Sequence, residues 1–148
     1  SVPLRPPPTA PGERTPGLAN VALLRRPPGL DEATWLTRWH RDHTQVAIDT
    51  QATFGYVQNT VVRALTDGAA PISAIVEELF PIEATSDLHA FFGATDDGDL
   101  GDRMTRMVAS TSAFGPTRTS TPSRRAATCC GIRSCRPLRC SRDSPDHR

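Results

Sequence analysis

The sequence predicts an α+β domain, because two kinds of hydrophobic pattern alternate along it. Apolar or alternating runs that are typical of β-strands occur at residues 18–26, 54–65 and 73–80. Residues 31–49 instead repeat large side chains every three or four positions, as an amphipathic helix does. Two further helical segments follow the third strand, so the predicted order of elements is β-α-β-β-α-α.

The first strand and the first helix have clear predicted boundaries. The run LANVALLRR ends at a Pro-Pro-Gly turn, where proline removes a backbone donor and glycine permits a sharp bend. Asp31 then supplies an oxygen that can cap a helix N-terminus, and Glu32 suits the first turn. From there one helical face collects the large apolar side chains and one histidine: Trp35, Leu36, Trp39, His43, Val46 and Ala47.

Alternation also predicts the second strand, in the run FGYVQNTVVRAL. Successive side chains of a strand point to opposite faces of the sheet. Tyr56, Gln58 and Val62 therefore share one face, and Asn59 lies on the other. A TDGAAP turn ends this strand and leads into the third one.

The helices after the third strand are predicted from caps and spacing. Ser86 can cap a short helix over DLHAFFGA. A second helix is predicted over about residues 99–112, with these apolar side chains at core spacing: Leu100, Met104, Met107 and Val108.

This order is that of a ferredoxin-like split β-α-β unit, βαββα(β), which requires a fourth strand after the last helix. Residues 18–114 form the predicted α+β domain. Residues 1–17 are proline-rich, and we expect an extended linker outside the sheet. Residues 115–148, where the fourth strand should lie, are predicted to be a disordered Arg/Cys-rich tail.

Three interpretations of that tail remain open. Its cysteines (Cys129, Cys130, Cys135 and Cys140) match no common zinc spacing, and no histidine lies at ligand distance in sequence. Its arginines would suit nucleic acid, but no aromatic side chain accompanies them. A third interpretation is a shifted reading frame of a GC-rich gene, which explains the composition, the cysteines and the missing strand together.

Composition argues against several classes of partner. The formal net charge is +1, with the basic residues concentrated in the tail. No run approaches the roughly 18–20 apolar residues of a membrane span, and the N-terminal segment lacks the apolar core of a secretory signal. We therefore expect a cytoplasmic protein without a membrane or nucleic-acid partner.

The stretch VALLRRPPGLDEATWLTRWHRDHTQVA resembles the opening of EthD-domain proteins: a strand ending in basic residues, a Pro/Gly turn, then a helix with Trp and His four positions apart. FGYVQNTVVRAL and AIVEELFPIEATSDLHAFFGA resemble later parts of that family. The resemblance implies a homodimeric α+β barrel with a small-molecule cavity between sheet and helices. It also implies an oxidoreductase-linked role in catabolism of a small apolar organic substrate.

His43 is the candidate catalytic residue. An imidazole with an ordinary pKa near ~6.5 could serve as an acid or base near neutral pH. The alternative is a histidine that fills space beside Trp39 and hydrogen-bonds the backbone. Trp39, Tyr56 and Gln58 are the candidate substrate-binding residues; for Tyr56 and Gln58, the alternative is a sheet surface that faces a second subunit.

Glu77 and Glu78 alternate across the third strand, so one of them must face the interior or an interface. A buried carboxylate without a partner is unfavourable, and Arg63 is available in the sequence as a counter-ion. Structural ion pairing is the simplest interpretation of this pair.

Other chemistries find little support. His40 is predicted to lie on the surface, and no carboxylate completes a metal pair with His43. Haem ligation by His43 or His89 stays open. No dinucleotide fingerprint, P-loop, nucleophile elbow or zinc-protease motif is present, and we predict no cofactor and no metal. The alternatives to an enzyme are a non-catalytic dimeric binding module and a frameshifted, non-functional product.

Overall fold

The computed structural model describes residues 1–115, which form a mixed α+β domain. Its antiparallel sheet comprises β1 (Leu18–Leu24), β2 (Gly55–Thr60) and β3 (Ala74–Phe80). The order is β1-β3-β2, with β3 antiparallel to both neighbours. Strands β1 and β2 therefore run in the same direction and are joined by a helical crossover. The predicted α+β class is confirmed.

The crossover is helical from α1 (Glu32–Thr37) through a π-helical segment (Arg38–His43) into α2 (Thr44–Thr50). As predicted, Asp31 caps it: its carboxylate accepts a hydrogen bond from the Thr34 amide at 2.9 Å. In the wider π-helical turn, the amide and hydroxyl of Thr44 both donate to the Trp39 carbonyl. The turn leaves His43 and Thr44 buried side by side.

The two later helices are α3 (Leu88–Phe92) and α4 (Asp97–Phe114). Asp87 caps α3, not the predicted Ser86, because the carboxylate of Asp87 reaches the His89 amide at 2.8 Å. The predicted inward face of α4 is also corrected, since Met104 and Val108 are exposed.

Tertiary packing sets the phase of α4. Phe114 is buried and Met107 packs against the core. At about 100° per residue, this phase turns Met104 and Val108 away from the sheet. On the inward side, Arg103 donates to the Phe92 carbonyl at 3.0 Å. A hydrogen bond from Arg103 to the backbone of α3 therefore takes the place of part of the apolar packing expected for α4.

The second strand is shorter than predicted. It ends at Thr60, and the Val61 amide still bonds the Ser73 carbonyl at 2.9 Å before the chain leaves the sheet. Val62, expected on the face of Tyr56, is 94% exposed. Alternation alone overestimated the strand because pairing ends where β3 begins.

The proline-rich N-terminal segment touches the sheet, which corrects the expectation that it lies outside. Leu4 forms an antiparallel bridge with Tyr56, and the Gln58 amide donates to the Ser1 carbonyl at 2.8 Å. The outer edge of β2 is thus covered by a short extended stretch, a position that tolerates neighbouring prolines. The predicted tail and fourth strand lie outside the described residues.

All the helices that form the core pack on one face of the sheet. The core is built from Trp35, Trp39, Ala47, Tyr56, Ala74, Val76 and Phe114. On the opposite face of β1, Val21 and Leu23 are 48% and 57% exposed. Within residues 1–115, no helix is both long and apolar enough to cross a membrane.

Candidate functional site

A cavity of about 840 Å³ lies between the sheet and the helices. Its floor is the inner face of the strands, and its walls come from the π-helical segment, from Gln51 just after α2, and from α3 and α4. The floor includes Asn20, Ala22, Tyr56, Val76 and Glu78, and the walls include Trp39, His43, Gln51, Phe91, Met107, Thr111 and Phe114. The volume falls in the range of small-molecule sites, and a mostly apolar lining with a few polar groups is typical of them.

His43 faces this cavity from the end of the π-helical segment. Its Nδ1 atom lies 2.9 Å from the Ser110 hydroxyl, and its ring centroid lies 4.4 Å from that of Phe114. Burial lowers the pKa of His43 to about 4. The imidazole is therefore neutral near pH 7, so it can accept or donate a hydrogen bond there but is not a cationic acid.

The contact with Ser110 orients the ring and leaves the second nitrogen for other partners. Nε2 of His43 has no hydrogen bond to any residue in the described range 1–115. Because which nitrogen carries the proton depends on Ser110, Nε2 can present either a lone pair or a proton to the cavity. This arrangement suits a neutral hydrogen-bonding group, and the lowered pKa makes His43 a weaker base than a free imidazole.

The tryptophans form the wall behind His43. Trp39 is fully buried and lines the cavity, and its ring centroid lies 5.4 Å from that of Trp35. The His40 ring contacts Trp39 at a tilt of 60° with centroids 4.4 Å apart, and His40 is exposed, as predicted. The two histidines of this helix thus occupy opposite environments.

The polar part of the floor is a row of three side chains across the sheet. Asn20, Glu78 and Tyr56 are direct neighbours in the β1-β3-β2 register. The Asn20 amide donates to Glu78 Oε2 at 2.8 Å. Burial raises the pKa of Glu78 to about 7, although the Asn20 hydrogen bond opposes the shift. Burial, together with the Glu78 carboxylate, raises the pKa of Tyr56.

The expected ion pairing of the two glutamates is not observed. Neither Glu77 nor Glu78 forms a salt bridge with any residue from 1 to 115, and Arg63 is exposed beyond the end of β2. Glu77 is exposed on the outer face, where its carboxylate accepts from Asn59 at 3.1 Å. Glu78 is held by amides instead of by a cation.

Gln58 is separate from the other predicted site residues. Its amide nitrogen donates to the Thr44 hydroxyl at 2.7 Å, and its oxygen accepts from the Ser1 hydroxyl at 2.7 Å. It does not line the cavity, whereas Trp39, His43 and Tyr56 do. The alternative of a subunit-facing surface is wrong for Tyr56 and Gln58, because both are buried beneath the helices.

Several residues of the site were not predicted from the sequence. Asn20, Gln51 and Thr111 line the cavity, and Ser110 contacts the His43 ring, but none of them belongs to a recognisable motif. The polar residues of α4 were a weak signal, since they interrupt the expected apolar face. Elsewhere, His89 Nε2 lies 3.0 Å from an Asp97 oxygen at the surface. Across residues 1–115, no three potential metal ligands cluster; the four cysteines lie beyond this range.

Comparison of the chain with protein-family models and with curated proteins finds no match.

Proposed function

We propose that this chain is an EthD-like protein that acts on a small, largely apolar organic molecule, in an oxidoreductase-linked step of catabolism, with His43 as the acid–base group. The single observation that carries the proposal is the cavity of about 840 Å³ with a neutral, Ser110-oriented imidazole in its wall. Since His43 is neutral near pH 7, its role is to accept a proton from the substrate or to hydrogen-bond it.

The proposal includes a ferredoxin-like protomer and a homodimer. The β1-β3-β2 order with β3 antiparallel is that of a split β-α-β unit and supports the first point. The exposed apolar side chains of Val21 and Leu23 on the outer sheet face support the second, because a second copy would remove them from water.

Binding is tested with N-phenylnaphthylamine, a neutral apolar dye that fluoresces on leaving water. Ala22→Phe places a ring in the cavity and should weaken dye binding at least tenfold. Val62→Phe adds the same ring at a 94% exposed loop position and should leave binding unchanged. Equal binding by both variants would contradict a ligand cavity at this place.

Catalysis is tested with a panel of neutral phenols, ketones and ethers, with product formation followed by mass spectrometry. His43→Gln should abolish turnover while dye binding persists, because an amide cannot replace an imidazole as base. His40→Gln, an exposed change on the same helix, should retain turnover. Dye binding without any turnover would instead favour a non-catalytic binding module.

The frameshift alternative concerns residues 115–148, of which 116–148 lie outside the described residues. Reading the coding DNA across codons 110–148 tests it directly.

A further inference from the structure

We propose that Glu78 determines ligand specificity: its carboxyl group, while protonated, donates a hydrogen bond to a neutral oxygen acceptor such as a ketone, and releases that ligand on ionising. The inference rests on the proposed function, since it names the chemistry that the same cavity recognises. It gives Glu78, on the floor of the cavity, a role in ligand binding in place of the structural ion pairing expected from the sequence.

The position of Glu78 is unusual for a carboxyl group. It lies at the centre of the middle strand, on the inner face, with 5% of its surface exposed, and it lines the cavity. An ionised carboxylate in such a place requires a cation or several donors. Within residues 1–115 no cation pairs with it, and burial favours the neutral form more strongly than the Asn20 hydrogen bond favours the ionised one.

Both carboxyl oxygens have amide donors beside them. Asn20 donates to Oε2 at 2.8 Å, and the side-chain amide of Gln51 lies 3.2 Å from Oε1. We assign the nitrogen of that amide to this side, because an oxygen there would also face the Ala47 carbonyl. These amides hold the carboxyl group in place without accepting its proton. The acidic proton of Glu78 therefore has no acceptor among them.

Gln51 could compete for that proton only by turning its amide oxygen toward Glu78. Its nitrogen also donates to the Ala47 carbonyl at 3.3 Å, however. A turned amide would set its oxygen against that carbonyl, so two acceptors would face each other. The Ala47 carbonyl thus keeps Gln51 as a donor and leaves the Glu78 proton to the cavity.

The remaining groups around the cavity do not titrate with Glu78. His43 is neutral above about pH 4, and Tyr56 has its pKa raised by burial and by Glu78 itself. Arg25 is exposed at the rim. The C-cap of α2 together with α3 and α4 contributes no ionisable side chain to the lining, only Gln51, Phe91, Met107, Thr111 and Phe114. Ionisation of Glu78, whose pKa is raised to about 7, is therefore the charge change inside the cavity near neutral pH.

The test compares two neutral probes on the full chain. Prodan is a naphthyl ketone whose emission shifts to the red when its carbonyl accepts a hydrogen bond, and N-phenylnaphthylamine has no carbonyl. Between about pH 6 and about pH 8, the Kd of the wild type for prodan should rise about tenfold, because the protonated fraction falls by that factor. Binding of N-phenylnaphthylamine should stay constant.

Three variants complete the design. Glu78→Gln, which keeps a donor at every pH, should bind prodan with a constant Kd and a red-shifted emission. Glu78→Leu should lose the red shift while still binding N-phenylnaphthylamine, which also verifies its fold. Glu77→Gln, on the opposite face of the same strand, should behave as the wild type.

The outcomes separate this inference from the proposed function. A prodan Kd independent of pH in the wild type, or a pH dependence that persists in Glu78→Gln, overturns the role of Glu78. If N-phenylnaphthylamine still binds in that case, the cavity of the proposed function stands. Failure of both probes to bind overturns both.

Discussion

The two faces of the sheet are made by the same three strands, yet they differ in every property that matters for function. The inner face is buried under the helices and holds Val76, Glu78 and Phe80 of β3. The outer face leaves Val21 and Leu23 of β1 about half exposed. Because side chains alternate along a strand, adjacent residues of β3 face the cavity on one side and the outer surface on the other.

Glu77 and Glu78 are adjacent in β3 and show the effect of facing opposite sides of the sheet. Each accepts a hydrogen bond from an asparagine of a neighbouring strand, Asn20 for Glu78 and Asn59 for Glu77. Only Glu78 is buried, and burial raises its pKa to about 7. Exclusion of water, and not the asparagine partner, is therefore what makes Glu78 hold a proton.

The largest expected difference between the faces is in packing. Phe80 is fully buried, and its ring stacks on Phe91 with centroids 4.2 Å apart. Phe80→Ala should lower the free energy of unfolding by about 3–5 kcal/mol. Leu23→Ala on the outer face should cost less than about 1 kcal/mol in dilute protein. Urea denaturation measures both, and equal losses would mean that the outer face is also covered in the monomer.

The second prediction uses pH. The Glu78 pKa rises from 4.5 in the unfolded chain to about 7 on folding, so this residue makes the fold less stable as pH increases through that window. The His43 pKa falls from 6.5 to about 4, so His43 makes the fold more stable as pH increases between those values. Each contribution amounts to roughly 3 kcal/mol, and the two nearly cancel in the wild type.

Single variants should reveal the separate contributions of Glu78 and His43 to the pH dependence of the free energy of unfolding. In Glu78→Gln the free energy of unfolding should rise, relative to wild type, between about pH 4.5 and about pH 7; in His43→Gln it should fall between about pH 4 and about pH 6.5. Urea denaturation at several pH values measures this, with Glu77→Gln and His40→Gln as exposed controls. Parallel pH profiles for all of these proteins would contradict the assigned burial of both groups.

The asparagine partners offer a third test, of intermediate size. Asn20→Ala removes a donor from a buried carboxyl group and should cost about 1–3 kcal/mol at a pH where Glu78 is ionised. It should also raise the Glu78 pKa further, because the Asn20 hydrogen bond lowers it. Asn59→Ala removes the matching donor at the surface and should change stability by less than about 0.5 kcal/mol. Similar stability losses for Asn20→Ala and Asn59→Ala would contradict a less polar environment on the inner face.

The smallest expected effect concerns the outer face as an interface. Leu23→Arg should raise the Kd of the proposed homodimer about tenfold or more, equivalent to about 1.4 kcal/mol. Sedimentation equilibrium measures it. Leu65→Arg is the control, because Leu65 is 82% exposed and lies in the loop between β2 and β3. A dimer insensitive to Leu23→Arg would use some other surface.

Elements with strong local periodicity were predictable. Residues 31–49 were expected to be helical, and helical structure runs from Glu32 to Thr50 with Asp31 as its cap. The three strands also lie where alternation indicated, apart from the far end of β2. Local patterns suffice for these because capping and amphipathic spacing act within a few residues.

Other features could not be predicted because distant packing decides them. The phase of α4 depends on contact of Phe114 with the core, and coverage of the β2 edge depends on residues far away in the chain. Proline content predicted an extended linker outside the sheet, and the pairing of Leu4 with Tyr56 could not be foreseen from it. Hydrogen bonds of this kind carry no signature in the local sequence.

The candidate site also combines features that local sequence predicts with features that only the folded chain determines. That Trp39 and His43 share a helix face follows from their spacing of four, which any reader of the sequence can recover. That His43 meets Ser110, 67 positions away, and Glu78 meets Asn20, 58 positions away, depends on the folded chain. The ordinary pKa values of an imidazole and a carboxyl group belong to the residue types. Their displacement in opposite directions arises because the assembled sheet and helices exclude water from both groups, and exclusion of water disfavours whichever form is charged.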